Sequence, residues 1–331
     1  MTRKLASIQR VRALEPIEGA DRIEVARVLG WSLVVRKGDF EVGDLCVYVE
    51  LDSILPERPE FEFLRPRGFR VRTIKLRGQV SQGLALPLSV LPDGTRVEEG
   101  DDVTELLGVR KWEPPETVKV EPAGPFPEFL PKTDETRVQA VPGVLERHQG
   151  TRFYVTEKVD GTSATFYLVG GRFGTCSRNY EVAERENDPF WSFARKVGLR
   201  ERMGGIDGDF ALQGELLGPK VQRNRYGLEE RNVFFFNAYD VGRRRYLDYE
   251  EFRELVVDRL GLDVVPLVDD DFRLPSTVDE LVKFADAPSA LNPEVPREGL
   301  VIRSAVESVD PELGRLSFKV LNPRYLLKYE A

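Results

Sequence analysis

Histidine occurs once in 331 residues, as His148. That scarcity excludes metal sites built on several histidines, and a histidine triad would have one residue to draw on. His148 lies in the polar run VLERHQG and reads as a solvated surface residue. Cysteine is nearly as rare. Cys46 and Cys176 are too few for a disulfide framework or a cysteine zinc site. No apolar run reaches the roughly 18 residues a membrane-spanning helix needs. The opening MTRKLASIQRVRALE lacks the apolar core of a signal peptide, so the expectation is a cytoplasmic protein with no membrane association. Any catalysis must then rest on Lys, Asp, Glu, Arg and bound metal ions.

Charge is plentiful but uneven. Net charge is −8, which argues against a nucleic-acid partner. Yet LRPRGFRVRTIKLRG carries Arg65, Arg67, Arg70, Arg72, Lys75 and Arg77 with no acid. Such a stripe suits phosphate contacts even on an acidic protein, or equally a strand edge defended by charge. Residues 1–108 read as short β-runs broken by Gly, Asp and Pro turns, which suggests a small OB-type barrel. Its segments ALEPIEGADRIEVARV and VGDLCVYV resemble OB modules of tRNA-binding, synthetase-associated proteins. Residues 109–125 are rich in Pro and Glu and read as a linker. Residues 126–331 mix α and β, giving an α+β chain overall. Strands are expected at 152–158, 162–169, 172–177, 209–216, 233–241, 299–304 and 315–321. Helices are expected after the caps Asp188 (with Pro189 next), Asp248 (with Glu251 three residues on) and Ser276.

The chemistry-bearing segments lie in this second part. YVTEKVDGTSATFYL places Lys158 at a strand end, followed by Asp160 and Gly161. GTCSRNYEV places Arg178 where a guanidinium can fork onto phosphate, though alone it is a surface arginine. ALQGELLGPKVQRNRYG places Glu215 before a Gly-Pro turn and a loop with Arg223 and Arg225. NVFFFNAYDV ends in Tyr239, an aromatic that can stack on a base or simply fill the core. REGLVIRS and LSFKVLN carry Glu298 and Lys319.

In that order, these segments resemble the motifs of the covalent nucleotidyltransferase superfamily of polynucleotide ligases and capping enzymes. The OB-like module comes first here, and few residues follow LSFKVLN. That arrangement resembles the fifth family of ATP-dependent RNA ligases, and the likeness spans nearly the whole chain. It implies a C-terminal, mainly antiparallel-sheet adenylyltransferase domain of the ATP-grasp-like ligase kind. The sequence departs from the pattern at Leu321, where many relatives have a second lysine. Lys319 then does both jobs, or Lys328 helps.

The resemblance implies that Lys158 is the nucleophile, forming a lysyl-AMP from ATP, with Asp160 and Lys319 as its catalytic partners. Glu157 would accept from the adenine amino group and Tyr239 would stack on the base. Gly161, Arg178 and Glu215 would complete the nucleotide site. Asp160, Glu215 and Glu298 would hold Mg²⁺ or Mn²⁺ through water. The partner would be RNA, as a nicked duplex or broken ends, with the 65–77 stripe and Arg223 and Arg225 on its phosphates, and the protein a monomer. The alternatives are a DNA ligase, a GTP-dependent capping nucleotidyltransferase, or a non-catalytic RNA-binding protein on a ligase scaffold.

Overall fold

The computed structural model of the chain describes residues 3–113 and 118–329. Its N-terminal part is built on β1 (Ala6–Pro16), β2 (Ile23–Val28), β3 (Trp31–Arg36), β4 (Leu45–Val49) and β5 (Leu84–Leu86). They form an antiparallel sheet in the order β3-β2-β1-β4-β5. β1 serves two neighbours. Ala6–Arg10 pairs with β4, and after a register shift between Val11 and Ala13 the strand continues along β2. A bulge of this kind bends and twists a strand, which curls the sheet toward closure. The N–H of Gln82 donates to the Ser32 carbonyl at 2.9 Å, and that of Val34 to Ser81 Oγ at 2.9 Å, drawing β3 toward the approach to β5. Alternating apolar residues such as Ile8, Leu33 and Val47 fill the interior beside Trp31 and Phe61. The expected OB-like barrel is present.

The basic stripe is not one strand. Its first part belongs to a 3₁₀ helix, Pro59–Arg67, and only Ile74–Leu76 pairs as a short hairpin with Gln79–Ser81. In the region read as a linker, Arg110–Lys111 pairs back onto Ser53–Ile54, and residues 114–117 lie outside the described residues.

The second part holds two sheets. The larger runs β6 (Pro122–Pro125), β11 (Tyr180–Val182), β10 (Arg172–Cys176), β9 (Thr162–Val169), β12 (Phe210–Leu217), β13 (Asn232–Asp240) and β14 (Arg245–Tyr246), in that spatial order. The smaller runs β7 (Thr136–Arg137), β17 (Ser317–Leu321), β16 (Gly299–Ser304), β8 (Phe153–Lys158) and β15 (Leu267–Phe272). Among the described strands only β7 and β17 pair in parallel, so the smaller sheet is mixed and the larger one antiparallel. Phe166, Phe193 and Phe235 centre one core, and Phe153, Ile302 and Phe318 the other.

Helix α1 (Pro189–Lys196) begins where Asp188 accepts the N–H groups of Phe190 and Trp191 at 2.9 and 3.0 Å. Helix α2 (Tyr249–Arg253) has the expected Asp248–Glu251 capping box. Helix α3 (Val278–Ala285) is capped by Thr277, one residue later than expected. The reason is local: a Glu at the third position can reach back to the cap N–H, and Glu280 does so for Thr277 at 3.1 Å. Helix α4 (Pro323–Tyr329) follows the last strand. No described helix is long and apolar enough to cross a membrane.

The two parts are fastened directly. The N–H of Gly30 donates to the Gln139 carbonyl at 2.9 Å, and Arg137 binds Asp52 at 2.8 Å. Arg27 reaches Asp279 at 3.2 Å.

His148 is not a solvated surface residue. Its Nε2 lies 2.9 Å from the carboxylate of Asp310, which is fully buried, and Arg147 binds the same carboxylate at 2.9 and 3.1 Å. Burial pushes the Asp310 carboxyl up. Hydrogen bonds from Arg147, His148 and the N–H groups of Glu312 and Leu313 outweigh it and hold the group well below the usual carboxylate range. A depressed carboxyl contributes stability above its unfolded pKa and loses it as pH falls. Asp310→Asn is therefore expected to cost about 2 kcal/mol at neutral pH. The gap to wild type in urea unfolding should narrow below about pH 4.

Candidate active site

The strand ends of the two sheets enclose a cavity of about 300 Å³ lined by Lys158, Gly161, Arg178, Glu215, Phe236 and Lys319, among others. Lys158 is the last residue of β8, Glu215 lies on β12, Glu298 immediately precedes β16, and Lys319 lies on β17. Residues far apart in sequence thus converge because antiparallel neighbours bring opposite strand ends side by side.

Two glycines let the backbones close up. A Cβ on Gly161 would lie 2.4 Å from the Leu216 carbonyl oxygen and 2.8 Å from Glu215 Cγ. A Cβ on Gly299 would lie 2.2 Å from the Val320 carbonyl oxygen. The first contact seats the loop after Lys158 on β12, where the N–H of Gly161 donates to Glu215 Oε1 at 3.2 Å. The second brings Glu298 beside β17.

Lys158 Nζ lies 2.6 Å from Glu298 Oε1. Burial pulls the Lys158 ammonium down, but Glu298, Glu215 and Asp160 overcome this and raise its pKa, so the resting lysine is protonated. Glu215 is pushed up to about 8, first by burial and then by Glu298 and Asp160, against the pull of Lys158. Lys319 is pulled down to about 7 by burial, Arg137 and Lys158. Arg137 is its immediate neighbour, paired with it between β7 and β17.

Asp160 is turned aside. Its carboxylate accepts from the Arg225 guanidinium and from the Tyr325 hydroxyl, the latter at 2.5 Å. Both contacts fall on Oδ2. Arg225 is correspondingly committed inside the protein, which removes it from a nucleic-acid surface, whereas Arg223 is exposed. Glu157 is buried, and one of its oxygens accepts the Ala290 N–H at 2.8 Å. Arg178 lines the cavity and pairs with Asp134 at 2.6 Å, while Asn179 of the same motif also lines it.

Tyr239 does not line the cavity. It packs on Tyr246 with ring centroids 5.1 Å apart. The aromatic that faces the cavity from β13 is Phe236. Gly214 pairs with Phe235 and Gln213 with Asn237, so Phe236 is the extra residue of a bulge. A bulge re-aims a side chain, and plain alternation along FFFNAYD gives no sign of it. Arg303 lies 5.4 Å from the Phe236 ring and reaches Glu135 and Thr156 Oγ1 at 3.3 Å. Lys328 is exposed on α4 and does not line the cavity, and Leu321 is buried. Lys319 is the lysine of that motif that lines it.

The basic stripe divides. Arg70 is buried, bound to Asp52 at 2.6 Å and stacked 3.3 Å over the Trp112 ring, so it is an internal tie and not a phosphate contact. Arg72 is half-buried in the cleft that Asp52, Arg137 and Leu326 also line. Arg65 is exposed but engaged by Glu57 and Glu62. Arg67, Lys75 and Arg77 are exposed.

Among the described residues, no group of three or more His, Cys, Asp or Glu could hold a metal ion outright. The carboxylates of Glu215 and Glu298 flanking Lys158 do fit a hard divalent cation that keeps water and substrate oxygens as its other ligands. Since neither backbone carbonyl nor strand can yield easily, Gly161→Ala is expected to destabilise the fold by about 1–3 kcal/mol in denaturant titration.

Comparison with known proteins agrees with this geometry. A family model described as an OB-fold domain matches residues 5–88, and one described as RNA ligase matches residues 151–321. A variant of the Naegleria gruberi RNA ligase solved with ATP and Mn is 37% identical, with 99% of each chain covered and a TM-score of 0.91. The same ligase with PPi is 38% identical over 99% of each chain, with a TM-score of 0.90. A further variant with AMP and Mn gives 37% identity over 99% of each chain and a TM-score of 0.91. A comparison with curated proteins finds no match. With a family model over more than half its length and a likeness that spans both of its parts, the chain belongs to the RNA ligase family.

Proposed function

We propose that the chain is an ATP-dependent RNA ligase in which Lys158 is the nucleophile. The observation that carries this is the convergence of Lys158, Glu215 and Lys319 on one cavity, with Glu298 bound to Lys158, in a chain of this family. The lysine attacks the α-phosphorus of ATP, forming a phosphoramide bond and releasing pyrophosphate. The AMP passes to an RNA 5′-phosphate. A 3′-hydroxyl then attacks, the phosphodiester forms, and AMP leaves. The chain's solved relatives carry ATP, AMP, Mn or PPi, the nucleotide, metal and leaving group of this sequence.

The side chains take roles by type and position. Lys158 must lose its proton and leave Glu298 before it can attack. Mn²⁺ or Mg²⁺ held by Glu215 and Glu298, directly or through water, would supply positive charge for phosphate oxygens and draw Glu298 from the lysine. Lys319, partly neutral in the free site, recharges beside the α-phosphate, because an adjacent anion favours the ammonium. Phe236 offers its face to the adenine, with Arg303 fixed behind it. Arg178 and Asn179 stand where a phosphate or ribose would enter. The RNA is a nicked duplex or a broken end, and the exposed Arg67, Lys75 and Arg77 of the OB part contact its phosphates.

Incubation with α-labelled ATP and Mn²⁺ is expected to label the wild-type protein and to leave Lys158→Ala unlabelled. A wild-type protein that is folded, free of bound AMP and still unlabelled overturns the assignment. In RNA binding measured against salt, Arg77→Ala should reduce the slope of log K against log salt by about 0.7–0.9. Arg70→Ala, which breaks an internal tie, should leave the slope unchanged.

A further inference from the structure

The carboxylate of Asp160 is engaged by partners from two remote parts of the chain. Its Oδ2 accepts from Arg225, in the loop between β12 and β13, and from the Tyr325 hydroxyl on α4. Arg225 also donates to that hydroxyl at 2.5 Å. The backbone N–H of Asp160 donates to the Tyr226 hydroxyl at 2.8 Å, so the residue is held at both ends. The guanidinium itself is caged, 5.4 Å from the Tyr325 ring centroid and 4.5 Å from that of Tyr329.

The loop that presents Arg225 is strained. Lys220, Gln222, Arg223 and Asn224 have φ of 67°, 41°, 61° and 48°, left-handed positions held by residues other than glycine, the last three consecutive. Such residues persist only where the surroundings over-determine them, and they cluster at functional sites. Here the loop is fixed by Asn224, which exchanges hydrogen bonds with Leu228 at 2.9 and 3.1 Å, by Asn292 on the Tyr226 carbonyl at 3.4 Å, and by the Arg225 grip on Asp160. Gln222 of the same loop lines the cavity.

We propose that Arg225 and Tyr325 are positioning residues for lysyl-adenylate formation. They fix the direction of Asp160 and balance its charge, which makes the C-terminal helix α4 part of the nucleophile's surroundings. Asp160 stands two residues from Lys158, and its unbalanced charge would strengthen the hold that Glu298 already has on the ammonium. With Arg225 against it, the pull of the carboxylate on the lysine is partly offset and its direction is fixed toward the loop. This inference rests on Lys158 being the adenylylated residue.

The test is a double-mutant cycle on single-turnover formation of the labelled protein from ATP. Arg225→Ala is expected to slow that step about tenfold to a hundredfold. The ATP concentration giving half the maximal rate should change less than about twofold, since Arg225 does not line the cavity. Arg225→Lys should recover at least part of the loss. In an Asp160→Asn background, Arg225→Ala should cost less than about twofold, because it acts through that carboxylate. An equal loss in both backgrounds, or an unchanged rate in Arg225→Ala, overturns the proposal. Tyr325→Phe removes one oxygen only and runs through the same cycle if Arg225→Ala fails to fold; additivity there overturns the proposal as well. Labelling of the wild type by ATP fixes the underlying reaction, so a failed cycle falls on the positioning role alone.

Discussion

The constraint on which the site depends is the balance of charge in a cleft shielded from water. Lys158, Lys319 and Glu215 line one cavity, Glu298 and the Arg225–Asp160 pair stand next to it, and burial disfavours the charged forms of Lys158, Lys319, Arg225 and Glu215. The protein meets this in two ways. Two pairs are closed by direct contact, Lys158 with Glu298 and Arg225 with Asp160. The remaining two groups are shifted toward neutrality, Glu215 up to about 8 and Lys319 down to about 7. A nucleotide and a divalent cation brought to such a site add charges of both signs. The resting pattern is one that substrate redistributes, since each pKa follows the charges around it.

That balance requires the two sheets to meet at their strand ends within a backbone's width. Gly161 and Gly299 permit it, because a Cβ at either would strike a carbonyl oxygen of the neighbouring strand. The phenylalanine cores behind the sheets set the distance, and interiors packed to crystal density do not relax to admit a methyl group. The segment Lys158–Gly161 is therefore as much a packing requirement as a chemical one: the lysine lines the cavity, the aspartate is held, and the glycine lets the loop lie flat on β12.

The OB part is joined to the catalytic part close to the same cleft. Asp52 holds Arg70 from its own barrel and Arg137 from the second part, and Arg137 lies beside Lys319. A carboxylate gripping two arginines in a half-buried position is a rigid coupling, since loss of either partner leaves a desolvated charge. Part of the basic stripe thus serves to bind the protein to itself. What remains on the surface, Arg67, Lys75 and Arg77, is a smaller footprint than the sequence suggests.

Local pattern determined a good deal by itself. The alternating strands, the Asp188 and Asp248 caps, the barrel-then-sheet order and the positions of Lys158, Glu215 and Glu298 near strand ends and of Lys319 on a late strand are legible because periodicity and turn chemistry act over a few residues. Tertiary structure decided which polar groups would be spent on one another. Asp160 and Arg225 read as a metal carboxylate and a phosphate cation, and they bind each other across 65 positions. Phe236 displaces Tyr239 from the cavity because a bulge inserts one residue into β13. His148 is drawn inward by Asp310, 162 residues away. The partners of a charge, and the register of a bulged strand, depend on residues distant in the chain, and no local window contains them.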